Sequence, residues 1–167
     1  DYSGGATCPS LLLEPSRTNL VTQSEYFDSW AKAEISVTSN AAISPDGLQN
    51  ASKIIPSTFS TPNHYINNSI PVTNGIDYVI SFYAKKGEYN YVNTYTSAYA
   101  TVASATWDLN AGTVILGSPN ADIEDVGNGW YRCSVTAHNE AGDIIICTGP
   151  NDGGNLSDIN GSHVGIV

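Results

Sequence analysis

Methionine is absent from this 167-residue chain, and cysteine, phenylalanine and tryptophan occur only three times each. Charge is also sparse, at 13% of residues, and what there is leans one way. Six basic against sixteen acidic residues give a net charge of −10, which argues against a phosphate-backbone partner and so against nucleic acid. No apolar run approaches the roughly eighteen residues a bilayer-crossing helix needs, and no charged-then-apolar leader is present. The expectation is a protein that is neither a membrane protein nor a precursor. The missing Met and the opening Asp1 read as a start inside a longer protein. Amphipathic helical periodicity is lacking too.

Ser, Thr, Asn, Gly and Tyr are abundant, with ten Tyr and fifteen Gly. Such a mix suits an all-β surface of extracellular type that recognises by hydrogen bonds and ring faces. The chain is long enough for a single domain over 1–167 with a real core, with the Gly-rich 1–10 as a flexible or extended arm.

The stretch 75–87 organises the rest. Tyr78, Ile80, Phe82 and Ala84 alternate with Val79, Ser81, Tyr83 and Lys85, the period of a strand with one apolar and one polar, ring-bearing face. Further strands are predicted over 35–42, 51–55, 64–72, 89–97, 101–109, 113–116, 121–126, 130–138, 143–148 and 163–167. A short apolar run, Leu11 to Leu13, is stopped by Pro15, and Glu14 and Arg17 are placed to pair across the turn that follows. Ser44-Pro45-Asp46-Gly47, Asn110-Ala111-Gly112 and Gly127-Asn128-Gly129 are turn signals. The patch 25–33 is weakly helical or irregular, with Tyr26, Phe27 and Trp30 as anchors into the core. Many short strands at regular spacing, without an amphipathic helix, predict a β-sandwich.

Three cysteines leave at least one unpaired within the chain. Cys133 and Cys147 flank a predicted hairpin turning near Glu140-Ala141-Gly142, which would set them opposite each other. A cross-strand disulfide and two small buried thiols both stay open; the second is favoured, because ordinary strand geometry suits a bridge poorly. No Cys-x-x-Cys pair occurs, so nothing supports zinc or thioredoxin-type chemistry.

Leu11-Leu12-Leu13-Glu14-Pro15-Ser16-Arg17-Thr18-Asn19-Leu20, then Ser24-Glu25-Tyr26-Phe27-Asp28-Ser29-Trp30, then Ser44-Pro45-Asp46-Gly47 and Gly127-Asn128-Gly129-Trp130-Tyr131-Arg132-Cys133-Ser134-Val135-Thr136 together resemble a module repeated across bacteriophage tail, fibre and head-spike proteins. The resemblance covers nearly the whole chain. Gly75-x-x-Tyr78-x-x-Ser81-Phe82-Tyr83-Ala84-Lys85 and Gly129-Trp130-Tyr131-Arg132 more loosely resemble strands of the jelly-roll carbohydrate-binding modules attached to glycanases. The resemblance implies a jelly-roll sandwich, no catalysis, a virion or extracellular location, a homotrimer where the module sits in a fibre, and in many such modules a structural calcium. One departure is that phage modules usually continue with Gly-Ala-Gln-Leu-Glu and a Tyr-Ile-Pro-Thr ending. This chain stops at Val167, which leaves an edge unfinished or supplied from outside it.

Sugar recognition needs flat rings to stack on the C–H faces of pyranoses, plus amides, hydroxyls or charged groups for the hydroxyls. Aligning the polar stripes gives Tyr65 and Asn67, then Ser81, Tyr83 and Lys85, then Tyr91, Asn93 and Tyr95, then Arg132, Ser134, Thr136 and His138. If these strands share a sheet, then Tyr65, Asn67, Tyr83, Lys85, Tyr91, Asn93, Tyr95, Arg132 and His138 form a solvent-facing polysaccharide-binding surface. The plain alternative is a solvated sheet in which Tyr and Thr sit for β-propensity. A rival function is a virion structural domain using the same face for subunit packing or receptor attachment. Trp30, Trp107 and Trp130 read as core residues.

Catalysis has little support. His64, His138 and His163 accompany no nucleophile motif, and no Gly-x-Ser-x-Gly occurs. Glu124 and Asp125 are strand neighbours pointing to opposite faces, so they cannot flank one bond. Asp152-Gly153-Gly154-Asn155 with Asp158 is a candidate wrap for Ca²⁺, although its spacing is not that of an EF-hand and a plain loop is the simpler reading.

Overall fold

Alternation of β-branched and aromatic residues with small polar ones carries through into the backbone. The computed structural model describes residues 18–57, 64–97, 104–117, 119–139 and 143–151. Their strands are β1 (Ala31–Ala33), β2 (Ile35–Ala42), β3 (Ala51–Pro56), β4 (Tyr65–Ile70), β5 (Asp77–Lys85), β6 (Tyr91–Ser97), β7 (Ser104–Asp108), β8 (Thr113–Gly117), β9 (Ala121–Gly127), β10 (Trp130–His138) and β11 (Ile144–Asn151). A single turn of 3-10 helix, Phe27–Ser29, precedes them. Among the described residues no helix is long and apolar enough to cross a membrane. The arm 1–10, the run Leu11 to Leu13, the Glu14–Arg17 pair, Cys8, His163, the last predicted strand and the Asp152–Asp158 loop lie outside the described residues.

Every pairing among the described strands is antiparallel. A six-stranded sheet runs β1-β4-β11-β6-β7-β8, a three-stranded sheet β5-β10-β9, and β2 pairs with β3. The six- and three-stranded sheets face each other across one core, giving an all-β, sandwich-like fold. Trp107 of β7, fully buried, meets Phe82 of β5 edge to face at 5.5 Å and donates its indole N–H to the Asp122 carbonyl of β9 at 2.9 Å. Ile66, Val92, Ala105 and Ile146 line one side of this core, and Ile80, Ala84, Cys133 and Val135 the other. Ile54, Ile35 and Val37 bring the β2–β3 hairpin into the same cluster. Burial of apolar area at about 25 cal/mol per Å² is what holds such layers together.

Turn chemistry fixes the registers. Gly127, Asn128 and Gly129 all take positive φ, at 90°, 55° and 78°, a conformation that favours Gly and Asn. In the Ser44–Gly47 turn, Gly47 N–H donates to the Ser44 carbonyl at 3.0 Å. The Asp46 carboxylate accepts the Ser44 hydroxyl and, at 2.8 Å, the Leu48 N–H. These bonds hold its pKa below the ordinary value, the Ser44 hydroxyl contributing most.

Three expectations are corrected. The Cys133–Cys147 hairpin does not form, because β10 pairs with β5 and β9 while β11 pairs with β4 and β6 in the other sheet. Cys133 is a buried free thiol between Phe82 and Ile123 on the ladder, and burial pushes its pKa up to about 12. Tyr26 is exposed, whereas Phe27 and Trp30, edge to face at 5.2 Å, pack against the core. The three-residue β1 was not expected; it is too short to show a period. Trp107 and Trp130 are buried as expected; Trp130 donates to the Ile43 carbonyl at 3.1 Å, tying the β2–β3 turn to β10.

Candidate functional site

The nine candidate residues do not share one surface. β4 and β6 lie in the six-stranded sheet on either side of β11, whereas β5 and β10 are neighbours in the three-stranded sheet. Since the two sheets face each other through their apolar sides, their polar stripes look outward in opposite directions. Alternation along each strand was read correctly; the assumption that all four strands share a sheet was not.

On the three-stranded sheet, Arg132 lies opposite Tyr83, and His138 opposite Asp77. Tyr83 is 53% exposed. The cationic groups around it are engaged within the chain. Lys85 Nζ donates to the Asn128 carbonyl at 2.8 Å, bracing the β9–β10 turn. Arg132 reaches Glu124 at 3.9 Å, and His138 Nδ1 lies 2.6 Å from an Asp77 carboxylate oxygen. Exposed pairs of this kind contribute little to stability, and they draw these cationic side chains toward partners within the chain.

On the outer side of the six-stranded sheet the other five residues come together. Tyr65 of β4 and Tyr95 of β6 meet edge to face at 6.2 Å. Their strands flank β11, so the two rings lie over it. Beneath them β11 runs through Cys147, opposite both Asn67 and Tyr95, and Gly149, opposite Asn93. Gly149 packs against the backbone of His64 and Tyr65, where a Cβ would run into the His64 carbonyl oxygen. Only glycine allows β11 to come this close to β4. Asn93 is buried at 5% exposure, while Tyr65, Asn67, Tyr91 and Tyr95 are half-buried. Asn93 and Tyr95 both take part in further polar or ring contacts.

The edge-to-face geometry leaves one ring face of the pair aligned with its partner's edge and presents a corner rather than a flat platform. Around this corner the described groups are hydroxyls, amides and carboxylates. Ser69, on the same stripe as Tyr65 and Asn67, donates to Asp143 at 3.2 Å. Asp108, opposite Tyr91, accepts the backbone N–H groups of Asn110 and Ala111 at 2.7 and 3.0 Å.

Sequence reasoning ended this strand at 148 and gave Gly149 to the Gly/Asn/Asp-rich run that follows, so it missed the part Gly149 plays inside β11. A depression of about 370 Å³, lined by Asn19, Val21, Gln23, Ser24, Glu25 and Tyr26, contains none of the nine candidates. Among the described residues no group of three or more His, Cys, Asp or Glu is placed to hold a metal ion; the proposed calcium loop is outside them. Compared with known proteins, the chain matches no family model, and no curated protein matches it significantly.

Proposed function

We propose that this chain is a non-catalytic carbohydrate-binding module of jelly-roll type, taking a polysaccharide or oligosaccharide on the outer face of its six-stranded sheet. The observation that carries the reading is the Tyr65–Tyr95 ring pair over β11, flanked by Tyr91, Asn67 and Asn93. Rings supply the faces on which sugar C–H groups stack, and the half-buried Asn67 amide and the phenol hydroxyls supply directional bonds, whereas Asn93 is buried and contributes to the site only through packing. Arg132, Lys85 and His138 are not part of this site, because they belong to the other sheet and have partners there. Phage origin, and with it a virion or extracellular location, rests on the resemblance of the sequence motifs and belongs to the same proposal.

Two ring contacts at ~0.5–1.5 kcal/mol each beyond area burial, with two or three hydrogen bonds at about 1 kcal/mol net, are offset by several kcal/mol of association cost. The result is weak affinity, on the order of tens of micromolar to millimolar, which many copies turn into strong attachment. Among the described residues no Arg or Lys side chain joins these rings on the face, which favours a neutral glycan whose binding depends little on salt. A glycan array identifies the ligand; titration calorimetry of Tyr65→Ala and Tyr95→Ala then tests the site. Each variant weakens binding about tenfold while the far-UV circular dichroism stays that of the parent. Binding that is unchanged in both variants but lost in Tyr83→Ala would move the site to the three-stranded sheet, and no hit on the array would sink the function.

A further inference from the structure

We propose that Asn128 is a self-modification site, whose side-chain amide is attacked by the backbone nitrogen of Gly129 with the help of Lys85. Asn-Gly pairs occur in the chain at 74–75, 128–129 and 160–161, and the last of them lies outside the described residues. Glycine has no Cβ to shield its own nitrogen, so each pair starts from the same local chemistry. What surrounds the first two differs.

Asn128 and Gly129 are both exposed at the tip of the β9–β10 hairpin. Among the described residues no group bonds the Asn128 side chain or the Gly129 N–H. The Asn128 carbonyl, by contrast, accepts from Lys85 Nζ at 2.8 Å, and the Lys85 stem passes 3.4 Å from where a Cβ on Gly129 would stand. At Asn74 the reacting groups are held. Gly75 N–H donates to the Asn139 carbonyl at 2.7 Å, and Asn139 Nδ2 donates to Asn74 Oδ1 at 3.3 Å. Asn139 is itself fully buried and anchored to the carbonyls of Thr73 and Ile76.

The reaction consumes only water. Hydroxide takes the proton of the Gly129 N–H, leaving an amidate whose charge is shared between that nitrogen and the Asn128 carbonyl oxygen. Lys85 Nζ donates to this same oxygen, so its ammonium stabilises the charge where it develops. The nitrogen then bonds to Asn128 Cγ, the Cγ–Nδ2 bond breaks, and Nδ2 leaves as ammonia with a proton from solvent. Water opens the cyclic imide that results. Cleavage of the new bond to Cγ leaves aspartate at position 128, and cleavage of the original peptide bond leaves isoaspartate. In the second route water adds to the α-carbonyl carbon, and the oxygen that takes up charge is again the one facing Lys85. Lys85 therefore speeds the reaction and biases it toward isoaspartate, which puts an extra carbon into the backbone of the turn.

Peptide mass mapping of the whole chain during storage in mildly alkaline buffer tests this, reading the mass gained when the amide becomes a carboxyl group. Asn128 converts faster than Asn74 by about tenfold or more, because Asn74 must first give up two hydrogen bonds. In urea the two rates converge, since the contacts that separate them are gone. Lys85→Met slows Asn128 several-fold, the half-buried cation being partly screened by water. It also lowers the isoaspartate share, counted with an isoaspartate-specific methyltransferase. Lys85→Arg, which keeps a cationic donor, restores both. Asn74 stays slow in each variant that keeps the fold, and the comparison of folded with unfolded parent holds even if Lys85→Met fails to fold. Equal rates at Asn74 and Asn128 in the folded parent overturn the proposal. So does a gap between them that persists in urea, or a folded Lys85→Met that reacts like the parent.

Discussion

Replacing Trp107 probes the contact that joins the two facing sheets. Its side chain is fully buried, packs edge to face on Phe82 and donates to the Asp122 carbonyl at 2.9 Å. Trp107→Phe removes that hydrogen bond, worth about 0.5–1.5 kcal/mol net. The loss falls at the low end, because Asp122 is exposed and water can take the indole's place. The smaller ring also leaves roughly 40 Å³ unfilled, which at ~24 cal/mol per Å³ adds about 1 kcal/mol. The total is about 1.5–2 kcal/mol, or roughly 3–8 °C in melting temperature for a domain of this size. Trp107→Ala goes further, to about 3–5 kcal/mol. Urea unfolding followed by far-UV circular dichroism measures both. A double-mutant cycle with Phe82→Leu isolates the ring contact, with an expected coupling of about 0.5–1.5 kcal/mol. If Trp107→Phe unfolds within 0.3 kcal/mol (roughly the error of such comparisons) of the parent, or the coupling is zero, the two sheets are not joined through this residue.

The Cys133 thiol, with its pKa pushed up to about 12 by burial, stays unlabelled by a bulky maleimide in native buffer and reacts once urea unfolds the chain; rapid native labelling at Cys133, located by peptide mass, would contradict its place between Phe82 and Ile123. Gly149→Ala forces its new methyl against the His64 carbonyl and destabilises by roughly 1–3 kcal/mol, as overpacking does, with a loss of glycan affinity as Tyr65 shifts; a variant as stable as the parent would mean β11 and β4 are not so close. The Asp46 carboxylate is held below its ordinary pKa of 3.8, first by the Ser44 hydroxyl and then by the Leu48 N–H. In the folded state it therefore binds fewer protons than in the unfolded state, so its contribution is present above 3.8 and is lost as pH falls through the lower folded value. Melting curves from about pH 5 to 2 should show a shallower acid limb for Asp46→Asn than for the parent, and parallel limbs would remove the carboxylate from the stability of this turn.

Which segments become strands was legible in the chain itself. A strand shows its period locally, and β2, β5 and β10 fall where Ile35, Tyr78 and Val135 begin or carry an alternation of apolar and polar residues. Turn residues were equally plain, since Gly127, Asn128 and Gly129 announce the positive φ they adopt. The division of each strand into a core side and an outer side followed from the same period, so Ile66, Phe82 and Trp107 turned inward while Tyr65, Tyr83 and Tyr95 turned outward. What no local pattern could supply was the order of strands within the sheets. β11 enters between β4 and β6, and this alone brings Tyr65 to Tyr95 and puts Cys147 in a different sheet from Cys133. The same ordering parts Tyr83 and Arg132 from Tyr95 and leaves β8 at an edge. Strand order is set by which apolar faces can be buried together over the whole chain, a long-range choice to which residues far apart in sequence contribute. The alternation within one strand is fixed by the backbone geometry of its own few residues.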